Sequence, residues 1–180
     1  DITASNRKYP GIIFKQEREA GNDILKVENL SKKLDGKFLF SKINFDLQKG
    51  QKVAFLSKDP VALTTFFEVI NGRIPADGGE YHWGTTITNA YLPNDNTEYF
   101  EGSNLNLMDW LRQFVPDYVK DVDEDFLRGF LGKMLFSGDE ILKKTSVLSG
   151  GEKVRCMLSK MMIQNPNVLI LDEPTNHLDL

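Results

Sequence analysis

Apolar and polar positions alternate in two different rhythms along this chain, and the change of rhythm outlines the fold. Up to residue 92 the apolar runs are short and separated by turn residues, as in strands. Ile24-Leu25-Lys26-Val27 predicts a first strand. Phe38-Leu39-Phe40 and Ile43-Asn44-Phe45-Asp46-Leu47 predict two more, the second alternating between apolar and polar. After the Lys49-Gly50 turn, Lys52-Val53-Ala54-Phe55-Leu56 reads as a buried strand. A loop from Ser57 to Leu63 then leads into a helix expected over 64–71, stopped by Gly72. Asp77-Gly78-Gly79 is a turn before an edge strand at 80–83, and 88–92 predicts another strand.

From about residue 106 to 144 the spacing becomes helical. Leu107, Trp110, Leu111 and Phe114 share one face, and Phe126, Leu127, Phe130, Leu131, Met134 and Leu135 share a second. The acidic run 121–125 precedes that second helix. It suits the positive end of the helix better than a metal site. A third helix is expected over 152–164, with Val154, Met157, Leu158, Met161 and Met162 at i, i+3, i+4, i+7 and i+8. That stripe is core packing. Val168-Leu169-Ile170-Leu171 is wholly apolar, so it predicts a central strand buried on both faces.

Composition narrows the function classes. The chain has 180 residues, which suits one domain. Its net charge of −4 argues against a nucleic-acid-binding surface of its own. Cys156 is the single cysteine, so no internal disulfide is possible and a reducing, cytoplasmic setting is expected. No apolar run is long enough to cross a bilayer, so no membrane partner is expected. The polar start, residues 1–22 with Pro10 and Gly21, reads as the end of an interdomain linker. The absence of a starting Met and the end at Leu180 suggest a piece of something longer.

Two motifs carry chemistry. In Leu148-Ser149-Gly150-Gly151-Glu152, glycines stand directly before a helix. A helix N-terminus offers unpaired N–H groups and partial positive charge, and glycine lets an anion come close. Alone, those five residues read better as a Ser-Gly-Gly turn with a helix cap. The second motif is the apolar strand ending in Asp172-Glu173-Pro174-Thr175. The first carboxylate suits Mg²⁺, a hard ion that takes oxygen ligands. The second is placed to orient or deprotonate a water. The two motifs joined by one amphipathic helix are hard to obtain by chance.

Together they resemble the signature motif and Walker B of the ABC ATPases. Asn176-His177-Leu178-Asp179 resembles their D-loop, which would give Asp179 a role there. The whole stretch from Asp172 to Asp179 resembles the form found in ABC-F proteins, soluble twin-domain ATPases that often act on the ribosome. Ser5-Asn6-Arg7-Lys8-Tyr9-Pro10 resembles the end of the linker between their halves. The likeness is strongest to the bacterial YbiT/YkpA-like branch. It implies an α/β fold: a P-loop ABC-type nucleotide-binding domain over 23–180, incomplete at its C-terminus. It would have an antiparallel β subdomain, a mixed or parallel core sheet and a helical signature subdomain at about 104–164. It implies ATP and Mg²⁺ as ligands, with Glu173 and Asp172 catalytic and Thr64 and Asp172 on the metal. The implied partner is an upstream ABC domain of the same chain in a head-to-tail sandwich, with ribosome or tRNA contact through segments outside this chain.

The sequence departs from that family at the Walker A loop. The pattern G-x-x-G-x-G-K-[ST]-[ST] falls on Ser57-Lys58-Asp59-Pro60-Val61-Ala62-Leu63-Thr64-Thr65. The threonines are present, but the glycines and the lysine are not. Leu63 replaces the lysine that reaches the phosphates. Hydrogen bonds to charged groups are worth roughly 1.5–3 kcal/mol each, so that loss corresponds to about ten- to a hundredfold in affinity. Pro60 has no N–H to offer, and Pro60 and Ala62 both restrict the positive φ of a phosphate nest. Lys58 is a cation in the wrong register. Leu34 stands at the adenine-stacking position and Asn94 at that of the Q-loop glutamine. The switch histidine is expected beyond Leu180, and His82 reads as a surface histidine.

The residues of this domain's own pocket (Ser57, Lys58, Ala62, Leu63, Thr64, Thr65, Asn94) are therefore altered. The residues that would serve a partner's site (Leu148, Ser149, Gly150, Gly151, Glu152) are intact. An asymmetric pair of ATP sites follows as an expectation. The alternatives are an ATPase subunit of a membrane transporter and a non-hydrolytic regulatory half.

Overall fold

The computed structural model describes residues 8–176. The chain divides into two compact units. One comprises Gln16–Asn94 with Pro166–Pro174; the other comprises Asp95–Asn165 with the described residues before Gln16 and after Pro174.

The first unit is built on a three-stranded antiparallel sheet in the order β2-β1-β3. Strand β1 is Asp23–Leu34, β2 is Lys37–Gln48 and β3 is Gly78–Trp83. The two strands expected at 38–40 and 43–47 are one strand, because Ser41-Lys42 forms a bulge rather than a break. Lys42 takes a left-handed backbone (φ 51°) and its N–H donates to Ser31 Oγ at 2.9 Å. Asn29 bulges opposite (φ 51°), its N–H held by Asn44 Oδ1 at 2.8 Å. Strand β3 lies at the sheet edge, as the sequence predicts. Gly79 is required there: it has φ +73°, and a Cβ would lie 2.3 Å from the Asn29 carbonyl group.

Helix α1 spans Pro60–Ile70, starting four residues before the predicted helix. The sequence did contain the signal. Asp59 is the N-cap and its carboxylate accepts from Val61 N, while Pro60 fills the first helical position, where no N–H is missed. Asn71 caps the C-terminus, and Gly72 follows with φ +71°, as expected.

Phe66, Phe67, Val69 and Ile70 of α1 pack on Leu25, Val27 and Leu30 of β1. The parallel pair β4 (Asn89–Leu92) and β5 (Val168–Leu171) completes the unit.

Residues 52–56 do not form the predicted buried strand. They carry no ladder hydrogen bonds, Leu56 is 94 % exposed and Val53 52 %. An apolar run becomes a strand only where a neighbouring strand satisfies its backbone, and none among the described residues does so. Phe55 alone anchors the segment, with its ring 4.9 Å from that of Phe66 and 5.4 Å from that of Phe45. The same cause corrects the reading of β5. Only Ile170 is buried; Leu169 and Leu171 are 38 % and 40 % exposed. The strand is paired on one side, with β4.

The second unit is helical. Helix α2 is Leu107–Arg112, α3 is Glu124–Lys133 and α4 is Gly150–Ile163. The acidic run works as expected: Asp123 caps α3 by accepting from Phe126 N, and Glu124 and Asp125 fill its first turn. Trp110 is buried, stacked on Phe100 with ring centroids 5.0 Å apart, and its indole N–H donates to the Tyr99 carbonyl at 2.8 Å. The α4 stripe of Val154, Met157, Leu158, Met161 and Met162 is buried throughout. Cys156, Ser159, Lys160 and Ile163 are buried too, so this helix runs through the core of its unit. Lys160 is accommodated between the rings of Tyr99 and Phe114, at 4.9 and 5.0 Å. Burial pushes the Cys156 thiol up to about 12. Residues 8–22 carry no helix or strand, but Gly11 N–H donates to the Lys133 carbonyl and Ile13 N–H to the Met162 sulfur.

Candidate functional site

The first group of predicted residues gathers where β5 ends beside α1. Asp172 follows β5 directly, and its N–H donates to the Leu92 carbonyl at 3.0 Å. The residue is 2 % exposed. Thr64, one turn into α1, donates its hydroxyl to Asp172 Oδ2 at 2.7 Å. Asp172 Oδ1 is buried and has no hydrogen-bond partner. Burial raises the Asp172 carboxyl above its ordinary range, the Thr64 hydroxyl opposes this, and the neighbouring Glu173 adds to the rise. Glu173 is exposed and takes a left-handed backbone with φ 48°. For a non-glycine residue such a conformation costs of order 1 kcal/mol and is often found at functional sites.

A buried, unpartnered carboxylate oxygen next to a hydroxyl fits a hard divalent cation. Mg²⁺ characteristically takes one or two protein oxygens and leaves its other positions to water and phosphate. The fit concerns Thr64 and Asp172 alone. Among the described residues, no three His, Cys, Asp or Glu side chains come together as a metal cluster.

Behind this pair lies a set of residues that the sequence reading missed. Tyr91 on β4 donates its hydroxyl to Glu68 Oε1 at 3.0 Å, and Arg73 Nε donates to Glu68 Oε2 at 2.7 Å. Burial first, then Glu68, raises the Tyr91 phenol and keeps it protonated. These residues belong to no motif; Glu68 and Arg73 are near neighbours along the chain, but only tertiary packing brings Tyr91 of β4 to Glu68 of α1.

The loop before α1 is closed on itself. Ser57 Oγ accepts from Asp59 N at 3.0 Å, and Asp59 Oδ1 accepts from Val61 N at 2.9 Å. The N-terminus of α1 is thus occupied by a carboxylate of its own chain. Lys58 sits exposed in the bend. Ala62 is buried, and Leu63 packs against the apolar core of the first unit. Thr65 is half-buried on the same helix. Leu34 is exposed at the end of β1, and Asn94 is exposed in the bend after β4. His82 is exposed, 3.4 Å from Glu80, as expected of a surface histidine.

The second group lies in the helical unit, at the start of α4. Leu148 is buried and anchors the turn. Ser149 is the N-cap: its hydroxyl oxygen accepts from Glu152 N at 3.3 Å, and its own N–H donates to Glu152 Oε2 at 2.8 Å. The hydroxyl accepts in this arrangement and so keeps its hydrogen to donate. Gly150 and Gly151 form the first turn of α4. The Ser149 N–H, with help from Lys143, holds the Glu152 carboxyl below its ordinary range. Asp179 and His177 of the expected D-loop lie outside the described residues.

This architecture, a strand ending in buried Asp172 beside α1 and a separate helix opened by a Ser-Gly-Gly turn, is that of an ATP-binding cassette. Residues 40–176 match the family described as ABC transporter, and the chain belongs to that family. Within it the chain falls with ABC-F relatives. It is 56 % identical over 180 residues to YkpA, an ABC transporter ATP-binding protein of Bacillus subtilis. It is 38 % identical over 180 residues to the YbiT ATP-binding protein of Escherichia coli O157:H7. It is 33 % identical over 177 residues to ABC transporter F family member 5 of Arabidopsis thaliana. It covers 100 % of itself but 33 % of each of the first two, and 97 % of itself but 25 % of the third, so it spans about a third of their length or less.

Solved structures agree on the fold. A dimeric ATP-binding cassette captured after hydrolysis with ADP and phosphate aligns with a TM-score of 0.70 at 16 % identity, over 87 % of this chain and 76 % of that one. A second structure, cbiO1 from Clostridium perfringens, part of the ABC transporter complex cbiONQ, aligns at 0.61 and 24 %, over 88 % of this chain and 68 % of that one. No helix among the described residues is long and apolar enough to cross a membrane.

The buried orphan oxygen has a consequence for stability. Asp172→Asn removes a desolvated charge and retains an acceptor for Thr64. It is expected to stabilise the metal-free protein by about 1 kcal/mol, since unpaired buried charge is costly. The sign follows from the raised carboxyl. The ionised form costs the fold stability above the folded pKa, and that cost disappears as pH falls below the unfolded one. The melting-temperature gap between variant and wild type should therefore be widest near neutrality and close towards pH 4, the ordinary range for Asp. A variant that melts below wild type at pH 7 would refute this account of Asp172.

Proposed function

We propose that this chain is one ATP-binding half of a twin-domain ABC-F protein, and that its two half-sites are unequal. Its own Walker A region is degenerate and holds ATP weakly. Its signature turn, Ser149-Gly150-Gly151, completes the site of an upstream ABC domain in the same chain. The observation that carries this reading is the contrast between the two helix N-termini. Helix α1 opens with Pro60, is capped by the Asp59 carboxylate, and directs Leu63 into the core. Helix α4 opens on two glycines behind a serine hydroxyl. At the first, an arriving anion meets the Asp59 carboxylate and a Pro60 that has no N–H to offer; at the second, the Glu152 carboxylate is paired with Lys143 at 3.3 Å and the turn's N–H groups are left to attract it.

Mg²⁺ would be held by Thr64 and Asp172, with Glu173 next to the position of an attacking water. When bound, the ion would offset the charge of the nucleotide phosphates. Thr64 would keep Asp172 oriented, and Glu173 would hold or move the water's proton. Turnover at this half would be slow, because no lysine reaches the phosphates.

Equilibrium dialysis of the full-length protein against ATP tests the asymmetry. The expected result is about one tightly held nucleotide per chain, since losing a charged hydrogen-bond partner costs about ten- to a hundredfold at the second site. Two sites of equal, tight affinity would overturn it.

The target of such a protein is proposed to be the ribosome. Support comes from the ABC-F likeness. Co-sedimentation of the full-length protein with ribosomes in the presence of ATP tests this. Failure to co-sediment, together with capture of a membrane protein partner, would favour a transporter subunit instead.

A further inference from the structure

We propose that Lys143 is a positioning residue of the phosphate-reading turn, cancelling the charge of Glu152 so that the start of α4 can accept an anion. The proposal rests on the reading that Ser149-Gly150-Gly151 takes a nucleotide phosphate from another ABC domain.

The capping box that shapes this turn carries a charge conflict. Glu152 is needed to hold the Ser149 N–H, at 2.8 Å, and so fixes the serine that would face the phosphate. The same carboxylate sets a full negative charge within the first turn of α4, with its side chain only 17 % exposed. Such a charge stabilises a helix N-terminus but competes with any anion arriving there. Lys143 resolves the conflict. Its Nζ lies 3.3 Å from Glu152 Oε1, leaving Oε2 for Ser149, and 3.7 Å from Glu140 Oε1.

Lys143 reaches this place from a fixed backbone. It closes the short 3-10 turn Gly138–Leu142, donating its N–H to the Glu140 carbonyl at 3.0 Å, and its own carbonyl accepts from Leu107 N at 3.1 Å. The neighbouring cations are directed elsewhere. Lys153 lies over the Phe100 ring at 5.7 Å, and Arg155 donates to the Met134 carbonyl and stacks on Phe136. Among the described residues, Lys143 is the cation in contact with Glu152.

The test is a double-mutant cycle on ATP turnover by the full-length protein. Lys143→Met should raise the KM for ATP about fivefold, the upper range for a single partly exposed ion pair, with kcat moving less than twofold. Lys143→Arg should restore KM to within about twofold of wild type, since it keeps the charge. Made on Glu152→Gln, where there is no charge to cancel, Lys143→Met should shift KM less than about twofold. An equal rise in both backgrounds would assign Lys143 a purely structural role and overturn the proposal. So would an unmoved KM in Lys143→Met, provided that Gly151→Asp abolishes turnover. If Gly151→Asp itself leaves turnover intact, the underlying reading of the turn has failed, and the two failures are thereby told apart.

Discussion

Gly151→Asp in the full-length protein is expected to lower ATP turnover at least about a hundredfold while leaving the fold as stable as before. Removing or opposing one preorganised donor group at a site of developing negative charge typically costs 10²–10³ in rate. The substitution places a carboxylate in the first turn of α4, where the proposed phosphate would lie. The backbone of the turn accepts the change. Neither Gly150 nor Gly151 is among the positive-φ glycines, so an L-residue can take their backbone. An acidic residue in the first turn of a helix is mildly stabilising, by about 0.3–1 kcal/mol. Activity and stability should therefore separate: turnover collapses and the melting temperature holds or rises slightly. Turnover within twofold of wild type would remove the signature turn from the site. Joint loss of activity and fold would leave the substitution explained by damage alone.

Trp110→Ala should have the largest effect on folding, about 3–5 kcal/mol, the usual range for deleting a large buried aromatic. Three losses combine. The side chain is 1 % exposed, so the deletion leaves a cavity. Its stacking on Phe100 and edge contact with Phe114, at 5.0 and 4.9 Å, disappear. The Tyr99 carbonyl loses the indole donor it meets at 2.8 Å. Hydrogen exchange of the full-length protein should show amides of α2 and α4 losing protection first, because both pack in the unit that Trp110 centres. A fall below about 1 kcal/mol would mean that this unit collapses around the gap far better than cores usually do.

Sequence legibility followed the range of the interactions involved. The α4 stripe and most of the α2 and α3 faces were readable because helical periodicity is local, but Phe114 falls beyond the end of α2 at Arg112, and Met134 and Leu135 fall beyond the end of α3 at Lys133. The Ser-Gly-Gly turn before α4 and the apolar strand ending in Asp172 were readable for the same reason, each being contiguous. Gly72 was readable as a helix terminator, and the acidic run 121–125 as the start of a helix. The early start of α1 was readable in principle from Asp59-Pro60, but a Walker-type frame placed the loop there instead. What escaped depends on partners distant in sequence. Residues 52–56 have the composition of a buried strand, yet hydrogen bonding requires a neighbour that composition cannot supply. Leu169 and Leu171 are as apolar as any core residue, and only strand pairing decides whether they are covered. Tyr91 meets Glu68 only through tertiary packing, and Lys143 meets Glu152 only because the turn at 143–149 folds back on the start of α4.

The buried thiol of Cys156 gives the helical unit a built-in reporter. A thiol reacts as its thiolate, and one shifted to about 12 and buried on α4 offers almost none of that species near neutral pH. To alkylating reagents the folded chain is in effect free of cysteine. Modification has to wait until α4 lifts away from its neighbours, so the pace of labelling measures how often the signature helix leaves its seat.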